Sequence, residues 1–144
     1  MCDSREENEN MTSSLLMFVN GEAMSGGRLN THLRDAIFHG PRRTAARYRF
    51  YSVRGKFPGL HPVPAQGTSV PGELYEVSYA LLRDRLLPAE PPELELGIIE
   101  LDDGSGSLAM RLRAEVLETP GILDISDQGG WLNYTQQAGL RAGK

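Results

Sequence analysis

Residues 94–117 read LELGIIELDDGSGSLAMRLRAEVL, and this stretch has the pattern of a β-hairpin. Two apolar arms, residues 94–101 and 107–117, flank a short polar loop that contains Gly104 and Gly106. The second arm alternates between apolar side chains at even positions and Arg or Glu at odd positions from 111 to 115. A hairpin of this kind favours an antiparallel or mixed sheet over a doubly wound parallel one.

Outside the hairpin, short strands and short helices are predicted. Residues 15–20, 47–53 and 74–77 have strand patterns, whereas the Gly- and Pro-rich residues 55–67 predict a loop. Three short helices are expected. The first is capped by Asn30 or Thr31 and ended by Gly40-Pro41, and the last lies within 129–137. The second is capped by Ser78, directs Leu81, Leu82 and Leu86 inward, and is ended by the prolines that begin at Pro88. Five or six strands with two or three helices make an α+β domain with a small mixed, mainly antiparallel sheet.

Composition fits one folded domain of modest size. The 144 residues carry 15 Lys and Arg against 19 Asp and Glu, a net charge of −4. The single cysteine, Cys2, excludes an internal disulfide or a zinc cluster and indicates a reducing compartment. The apolar run at 15–19 is too short for a signal peptide or a membrane span, so a cytoplasmic protein without membrane contact is expected. We expect residues 1–14 to form a disordered acidic leader, residues 15–138 to form the domain, and residues 139–144 to form a C-terminal tail.

No motif for phosphate binding, a serine nucleophile or a zinc protease occurs. The three histidines, His32, His39 and His61, fall in different predicted elements without the spacing of metal ligands. We therefore expect neither a metal site nor a cofactor.

The stretch NGEAMSGG at residues 20–27 follows the first strand directly. A strand that ends in glycine-permissive backbone exposes several N–H groups in one place, and such a nest binds carboxylate or phosphate oxygens. An ordinary strand-to-helix turn would have the same composition, because glycine supplies the backbone conformations that turns need.

Residues 34–56 carry seven Lys and Arg against one acid, with Tyr48, Phe50 and Tyr51 interleaved. Clustered cations with aromatic side chains are typical of a nucleic-acid surface. The alternative is a set of outward arginines paired with acids, of which residues 73–103 carry nine against two bases. Because the chain as a whole is acidic, we expect pairing and no nucleic-acid partner.

Glu100 is the unusual carboxylate of the hairpin. It shares a strand face with Leu94, Leu96 and Ile98, and burial of that face would raise its pKa and make it a candidate acid or base. If the Ile99 and Leu101 face is buried instead, Glu100 is solvated; the pattern leaves both open.

A series of short motifs resembles a known family. They are LMFV at 16–19, VNG at 19–21, MSG at 24–26, LN at 29–30, ARYRFY at 46–51, FPGL at 57–60, GELYEV at 72–77, LGIIELDDG at 96–104, DI at 124–125 and GGW at 129–131. In this order over residues 15–135 they are similar to the gamma-glutamylcyclotransferase-like superfamily, and most closely to the C-terminal domain of allophanate hydrolase. The resemblance implies a barrel-like mixed sheet with flanking helices and a pocket at the end of the first strand.

The resemblance also implies chemistry. In cyclotransferases a glutamate after the helix that follows the GxxYEV strand accepts a proton from the substrate amine, and a turn with tyrosine cradles the substrate carboxylate. Here Glu90 lies about one position from that glutamate, and Asn20 replaces the tyrosine. The allophanate hydrolase relatives carry a histidine directly after Leu-Asn, where this chain has Thr31 followed by His32, and they match Glu100 position for position.

From these patterns we expect a small-metabolite enzyme with lyase-type chemistry, either decarboxylation of a carboxylated amide or carbamate or intramolecular amide transfer by a transferase. Its substrate would bear a carboxylate or amide, and a separate amidase would be a partner. Catalysis is expected from Glu100, with Glu90 and His32 as further candidates. Ligand binding is expected from Val19, Asn20, Gly21, Glu22, Ala23, Met24, Ser25 and Tyr48. The alternatives are a non-catalytic metabolite-binding or accessory subunit of an amidase, and an RNA-binding module.

Overall fold

The computed structural model describes residues 14–140, which form one curled mixed sheet with short helices against it. Its strands are β1 Ser14–Val19, β2 Ile37–Arg43, β3 Tyr48–Val53, β4 Phe57–Pro62, β5 Pro71–Ser78, β6 Leu94–Glu100, β7 Gly106–Leu112 and β8 Ile122–Asp124. The expected leader at 1–14, apart from Ser14, and residues 141–144 of the expected tail lie outside the described residues. The predicted α+β class with a mixed, barrel-like sheet is confirmed.

The sheet runs in the order β2-β5-β1-β7-β4-β3-β8, and β6 pairs with β7 as well. Strand β7 lies parallel to β1 and β4 and antiparallel to β6, while the remaining pairs are antiparallel. The predicted hairpin is therefore present as β6–β7, with Leu94 opposite Leu112 and Glu100 opposite Gly106. The second arm of the hairpin, β7, lies beside β1, with Met17 opposite Leu108 and Phe18 opposite Ala109.

Two apolar layers on opposite faces of β1 hold the sheet, together with a third buried cluster of Val53, Leu94, Leu112 and Val116. On its inner side Phe18, Phe50, Leu60 and Leu101 are among the buried side chains of a cluster closed by Trp131. On its outer side Met17 and Val77 belong to a second buried cluster, which packs against a helical segment after β5. Because successive side chains of a strand point to opposite faces, β1 contributes to both layers.

That helical segment, here called α1, begins as an α-helix at Tyr79–Leu81, continues as a π-helix at Leu82–Leu86 and ends as an α-helix at Leu87–Ala89. The Ser78 hydroxyl accepts a hydrogen bond from the Leu81 N–H at 3.0 Å, which confirms the predicted N-cap. As predicted, Leu81, Leu82 and Leu86 are buried. A second helix, α2, covers Trp131–Gln137, and 3-10 helices cover Asn30–Leu33 and Ala114–Glu118.

The prediction of a helix extending to Gly40-Pro41 was wrong in its second half. The 3-10 helix ends at Leu33, and residues 37–43 form β2 at the edge of the sheet. The register of β2 shifts between Phe38 and Gly40, and Gly40 has φ +98°. An edge strand with a bulge tolerates both a glycine and a proline, so the residues read as breakers are accommodated there.

Two other boundaries differ from expectation. Part of the predicted loop at 55–67 is strand β4, which pairs antiparallel with β3. The paired residues run from Tyr48 opposite Pro62 to Val53 opposite Phe57. Alternate residues of a strand direct their N–H groups to the same edge, and proline has no N–H. Pro58 and Pro62 therefore remove hydrogen-bond donors from one edge of β4 only, and the other edge keeps its own. The second hairpin arm ends at Leu112 rather than at Leu117, where a 3-10 helix follows, and the sheet has eight strands rather than five or six.

Among residues 14–140, no helix is long and apolar enough to span a membrane.

Candidate functional site

A cavity of about 360 Å³ opens where β1 ends. The turn after β1, the loop between β3 and β4, and the end of α1 form its walls, with β6 and β7 behind them. Its lining residues are Met17, Phe18, Val19, Asn20, Gly21, Glu22, Ala23, Arg28, Leu29, Lys56, Phe57, Pro58, Ala89, Glu90, Pro91, Leu94 and Met110. The cavity therefore lies at the strand end where the glycine-containing stretch predicted an anion site.

The turn at residues 20–23 presents unused polar groups to this cavity. Asn20, Gly21 and Ala23 are buried. Within residues 14–140, neither the Gly21 N–H nor the Ala23 N–H donates a hydrogen bond, and the Asn20 carboxamide has no partner. Buried backbone N–H groups are nearly always paired in folded proteins, so the Gly21 and Ala23 N–H groups at a cavity wall are suited to bind a polar ligand. The Asn20 carboxamide adds a further donor and acceptor beside them.

A buried carboxylate on β5 accepts a hydrogen bond from the backbone just after this turn. Glu73 accepts a hydrogen bond from the Ser25 N–H at 2.8 Å and one from the Tyr75 hydroxyl at 3.3 Å. The Asn30 amide then donates to the Tyr75 oxygen at 3.0 Å and to the Ala23 carbonyl at 2.8 Å. This network fixes the C-terminal end of the turn, from the Ala23 carbonyl to the Ser25 N–H.

Glu22 is the charged residue of the turn, and it is only 8% exposed. One of its oxygens accepts a hydrogen bond from the Trp131 indole at 2.6 Å. The other accepts from the Arg28 backbone N–H at 2.9 Å and from the Arg28 Nε at 3.4 Å. The carboxylate is thus compensated by donors from two segments of the chain.

Two cations lie at the mouth of the cavity. Arg28 is 73% exposed, and Lys56, in the loop between β3 and β4, is also exposed. Both belong to the lining residues. Arg28 is paired with the Glu22 carboxylate, and exposed cations at an opening favour the approach of an anion.

Glu90 enters the cavity from the end of α1. Burial raises the pKa of its carboxyl from 4.5 to about 7, because the apolar surroundings disfavour the charged form. Its neighbour Glu93 is different: a hydrogen bond from Arg54, with Nη2 to Oε2 at 2.6 Å, lowers the pKa of Glu93. Glu90 is therefore suited to proton transfer near neutral pH.

Glu100 lies outside this cavity. On β6 the side chain of Ile99 is 2% exposed and that of Ile98 is 71% exposed, whereas Leu94, on the same face as Ile98, is buried at the start of the strand. The Glu100 carboxylate accordingly points outward and pairs with the Arg47 Nε at 2.7 Å. Of the two alternatives for this strand, the solvated one holds.

The other predicted residues divide between the cavity and the rest of the fold. Val19, Asn20, Gly21, Glu22 and Ala23 line it together with Glu90. His32, Met24, Ser25 and Tyr48 do not. Tyr48 is buried in the inner core, where its hydroxyl oxygen accepts a hydrogen bond from the Glu100 N–H at 2.8 Å.

His39, His61 and several arginines have ordinary structural partners. His39 lies beside Glu76, with Nε2 and Oε1 3.1 Å apart, and the His61 Nδ1 lies 2.9 Å from the Leu112 carbonyl oxygen. No cluster of potential metal ligands occurs within residues 14–140. In the basic segment the arginine–acid pairs are Arg42–Asp103, Arg47–Glu100, Arg49–Asp124 and Arg54–Glu93. The acidic stretch at residues 73–103 supplies the partners of Arg42, Arg47 and Arg54, as expected, whereas Arg49 pairs with an acid outside it.

Sequence reasoning missed Arg28, Lys56 and Trp131 as residues of this site. Lys56 and Arg28 are ordinary surface residues by pattern, and only the fold brings them to one opening. Trp131 did carry a signal, because it is the only tryptophan in the chain and a buried indole N–H needs an acceptor.

Comparisons with known proteins show which family this chain belongs to. The family model of the allophanate hydrolase C-terminal domain matches residues 15–136. A solved structure of a uropathogenic E. coli-specific protein is 34% identical, with a TM-score of 0.79, over 85% of this chain and 96% of that one. A search of curated protein sequences gave no match.

More distant structures share the fold. Kluyveromyces lactis allophanate hydrolase is 23% identical with a TM-score of 0.81 over 87% of this chain, which spans only 21% of that protein. A mouse AIG2-like protein is 22% identical with a TM-score of 0.58, over 75% of this chain and 85% of that one. The match over residues 15–136 takes in most of the described structure, and the chain therefore belongs to the allophanate hydrolase C-terminal domain family, on a fold shared with gamma-glutamylcyclotransferase-like proteins.

Proposed function

We propose that the chain binds a small metabolite with a carboxylate or amide group in the 360 Å³ cavity, and that Glu90 is the acid–base group for its conversion. The observation that carries this proposal is that the Gly21 and Ala23 N–H groups, the Asn20 carboxamide and the Glu90 carboxyl line one cavity. Family and fold suggest a small-molecule enzyme or an accessory domain. The chemistry is inferred from the site.

Recognition of an anion is supported by three kinds of donor. The Gly21 and Ala23 N–H groups and the Asn20 carboxamide offer hydrogen bonds, and Arg28 with Lys56 offers positive charge. Hydrogen bonds to a charged acceptor are stronger than neutral ones, and more so in a partly closed site. A carboxylate, or the oxygen of a tetrahedral intermediate, suits this set of donors.

The geometry of α1 supports Glu90 over the other carboxylates. When the motifs are aligned, Glu90 lies about one sequence position from the glutamate of the cyclotransferases. A π turn holds one more residue than an α turn, so the π-helix at Leu82–Leu86 changes the register of the following residues by one position. Glu90 lies just beyond it and reaches the cavity.

The lyase-type reaction uses the protonated carboxyl. In a carboxylated amide or carbamate, the bond between nitrogen and the carboxylate carbon breaks, its electron pair stays on nitrogen, and carbon dioxide leaves. The nitrogen takes the proton of Glu90, which regains one from solvent. In intramolecular amide transfer the ionised carboxylate would instead accept the proton of the attacking amine and return it to the leaving amine.

The test supplies the substrate through a separate amidase. An isolated amidase of the allophanate hydrolase type is fed with allophanate, and the release of carbon dioxide is followed with and without this chain. We expect the chain to accelerate release and Glu90→Gln to abolish the acceleration. Glu93→Gln is the matched control, because it removes a nearby carboxylate that is held by Arg54 outside the cavity.

An accessory, non-catalytic role is the second candidate. It is favoured by Asn20, which stands where cyclotransferases carry the tyrosine of the turn. In that case malonamate, a stable molecule with one carboxylate and one amide, would bind and raise the melting temperature, while carbon dioxide release would not change. If malonamate does not bind and release is unchanged, both candidates are wrong.

A further inference from the structure

A contact between distant parts of the chain reaches the cavity through Glu22. Trp131, at the start of α2, is 1% exposed, and its Nε1 donates to the Glu22 Oε2 at 2.6 Å across 109 residues of sequence. A hydrogen bond of this length to a carboxylate is charge-assisted and strongly orienting. It fixes the rotation of the Glu22 carboxylate within the turn.

The second oxygen of the same carboxylate holds Arg28. Glu22 Oε1 accepts from the Arg28 backbone N–H at 2.9 Å and from its Nε at 3.4 Å. At the far end of the guanidinium, Nη2 donates to the Lys56 carbonyl at 3.3 Å. Arg28 thus extends from the turn after β1 to the loop between β3 and β4, and both segments line the cavity.

We infer that Trp131 and Glu22 are positioning residues that hold the Arg28 guanidinium at the cavity mouth, where it binds the anionic group of the ligand. This inference rests on the proposed anion-binding function of the cavity. An arginine that is 73% exposed would otherwise sample many rotamers and would lose that freedom on binding. Orientation before the ligand arrives reduces this entropic cost and strengthens binding.

The test measures the coupling between Trp131 and Arg28 through Glu22. Malonamate binding is measured by calorimetry for the wild type, Trp131→Phe, Arg28→Gln and the double variant. We expect Arg28→Gln to weaken binding by about tenfold or more, as for loss of a hydrogen bond to a charged group. Trp131→Phe should weaken it by about fivefold, and the double variant should be no weaker than Arg28→Gln alone, since residues of one network are not additive.

Controls separate positioning from general loss of packing. Phe50→Leu alters a 1% exposed residue of the same core cluster as Trp131, and it should lower stability without changing the dissociation constant. Arg49→Gln removes a half-buried arginine of another ion pair and should leave binding unchanged. If Trp131→Phe does not fold, Glu22→Gln is used, because it keeps an acceptor for the indole but weakens the hold on Arg28.

A ligand-free measurement separates this inference from the proposed function. In the NMR spectrum of the free protein, the Arg28 Nε–H should exchange with water faster in Trp131→Phe than in the wild type. If exchange is unchanged, or if the two variants act additively on binding, the positioning role is wrong even though the cavity binds malonamate. If the wild type does not bind malonamate while exchange does accelerate, the proposed function fails and only the orientation of Arg28 by Trp131 remains.

Discussion

The buried carboxylate of Glu73 accepts a hydrogen bond from the backbone N–H of Ser25 at 2.8 Å, 48 residues away in the chain. Glu73 lies on β5 directly opposite Val19, the last residue of β1. The turn that lines the cavity is therefore tied to the neighbouring strand at the point where β1 leaves the sheet. This tie gives the turn a defined shape without a ligand.

Replacement of Glu73 tests this tie. Glu73→Ala leaves the Ser25 N–H and the Tyr75 hydroxyl without their acceptor, so we expect a loss of roughly 1–3 kcal/mol in the free energy of unfolding. Urea denaturation measures the loss. Tyr75→Phe is the milder comparison, because it removes the hydroxyl and keeps the ring. Equal stability of Glu73→Ala and the wild type would contradict a structural role for this carboxylate.

Gly21 allows the turn to approach the loop between β3 and β4. A Cβ at this position would lie 2.7 Å from the Pro58 Cδ and 2.8 Å from its Cγ, and the proline ring cannot turn away. We expect Gly21→Ala to lower the free energy of unfolding by roughly 1–3 kcal/mol, as for other overpacked sites, and to weaken malonamate binding. Thermal unfolding and calorimetry measure the two effects. Gly106→Ala, whose Cβ would meet nothing closer than 3.7 Å, should change neither property.

Glu90 should make stability depend on pH. Because burial raises its pKa from 4.5 to about 7, the folded protein binds a proton between these values that the unfolded chain has released. The contribution of the protonated carboxyl to stability is thus complete below about pH 4.5 and is lost as the pH rises through about 7. The loss is roughly 3 kcal/mol.

Glu90→Gln removes this proton uptake. Unfolding free energies of the wild type and the variant are compared from pH 5 to pH 8, so that the opposite slopes of other carboxylates cancel. We expect the wild type to fall relative to Glu90→Gln over this range. Parallel curves would mean that the Glu90 carboxyl is solvated and does not titrate near neutrality.

The two candidate carboxylates can be separated directly. Glu90 lines the cavity, whereas Glu100 pairs with Arg47 on the outer face of β6. We expect Glu90→Gln to lose the acceleration of carbon dioxide release and Glu100→Gln to keep it. Loss of the surface pair should cost less than about 1 kcal/mol in stability. The reverse pattern of activity would identify Glu100 as the acid–base group and leave the cavity without one.

Local sequence patterns predicted the elements whose causes are local. The Ser78 cap, the buried leucines of α1 and the β6–β7 hairpin follow from short-range hydrogen bonding and hydrophobic periodicity. Strands β2 and β4 were not predicted because their glycines and prolines read as breakers. The pairing of β2 and β4 with their neighbours in the sheet accommodates those glycines and prolines. Which strands pair with one another depends on distant residues, so local patterns do not show it.

The site divides in the same way. The turn at residues 20–23 was predicted because a glycine-containing backbone after a buried strand offers N–H groups wherever the strand lies. The strand pattern alone could not rank Glu100 against Glu90. Whether a carboxylate is buried depends on which face of β6 packs inward and on how α1 ends, and both are set by packing between distant segments.

The amino-acid sequence by itself determined the α+β class, the hairpin and the nest of backbone donors after β1, because each depends on residues close together in the chain. It also determined the family, because short motifs keep their order over residues 15–135. Only the tertiary structure decided that Glu90 and not Glu100 reaches the cavity, that Arg28 and Lys56 meet at its mouth, and that Trp131 holds Glu22. These relationships join residues up to 109 positions apart. They exist only once the sheet has curled and brought its ends together, since no short-range preference encodes which distant side chains share one space.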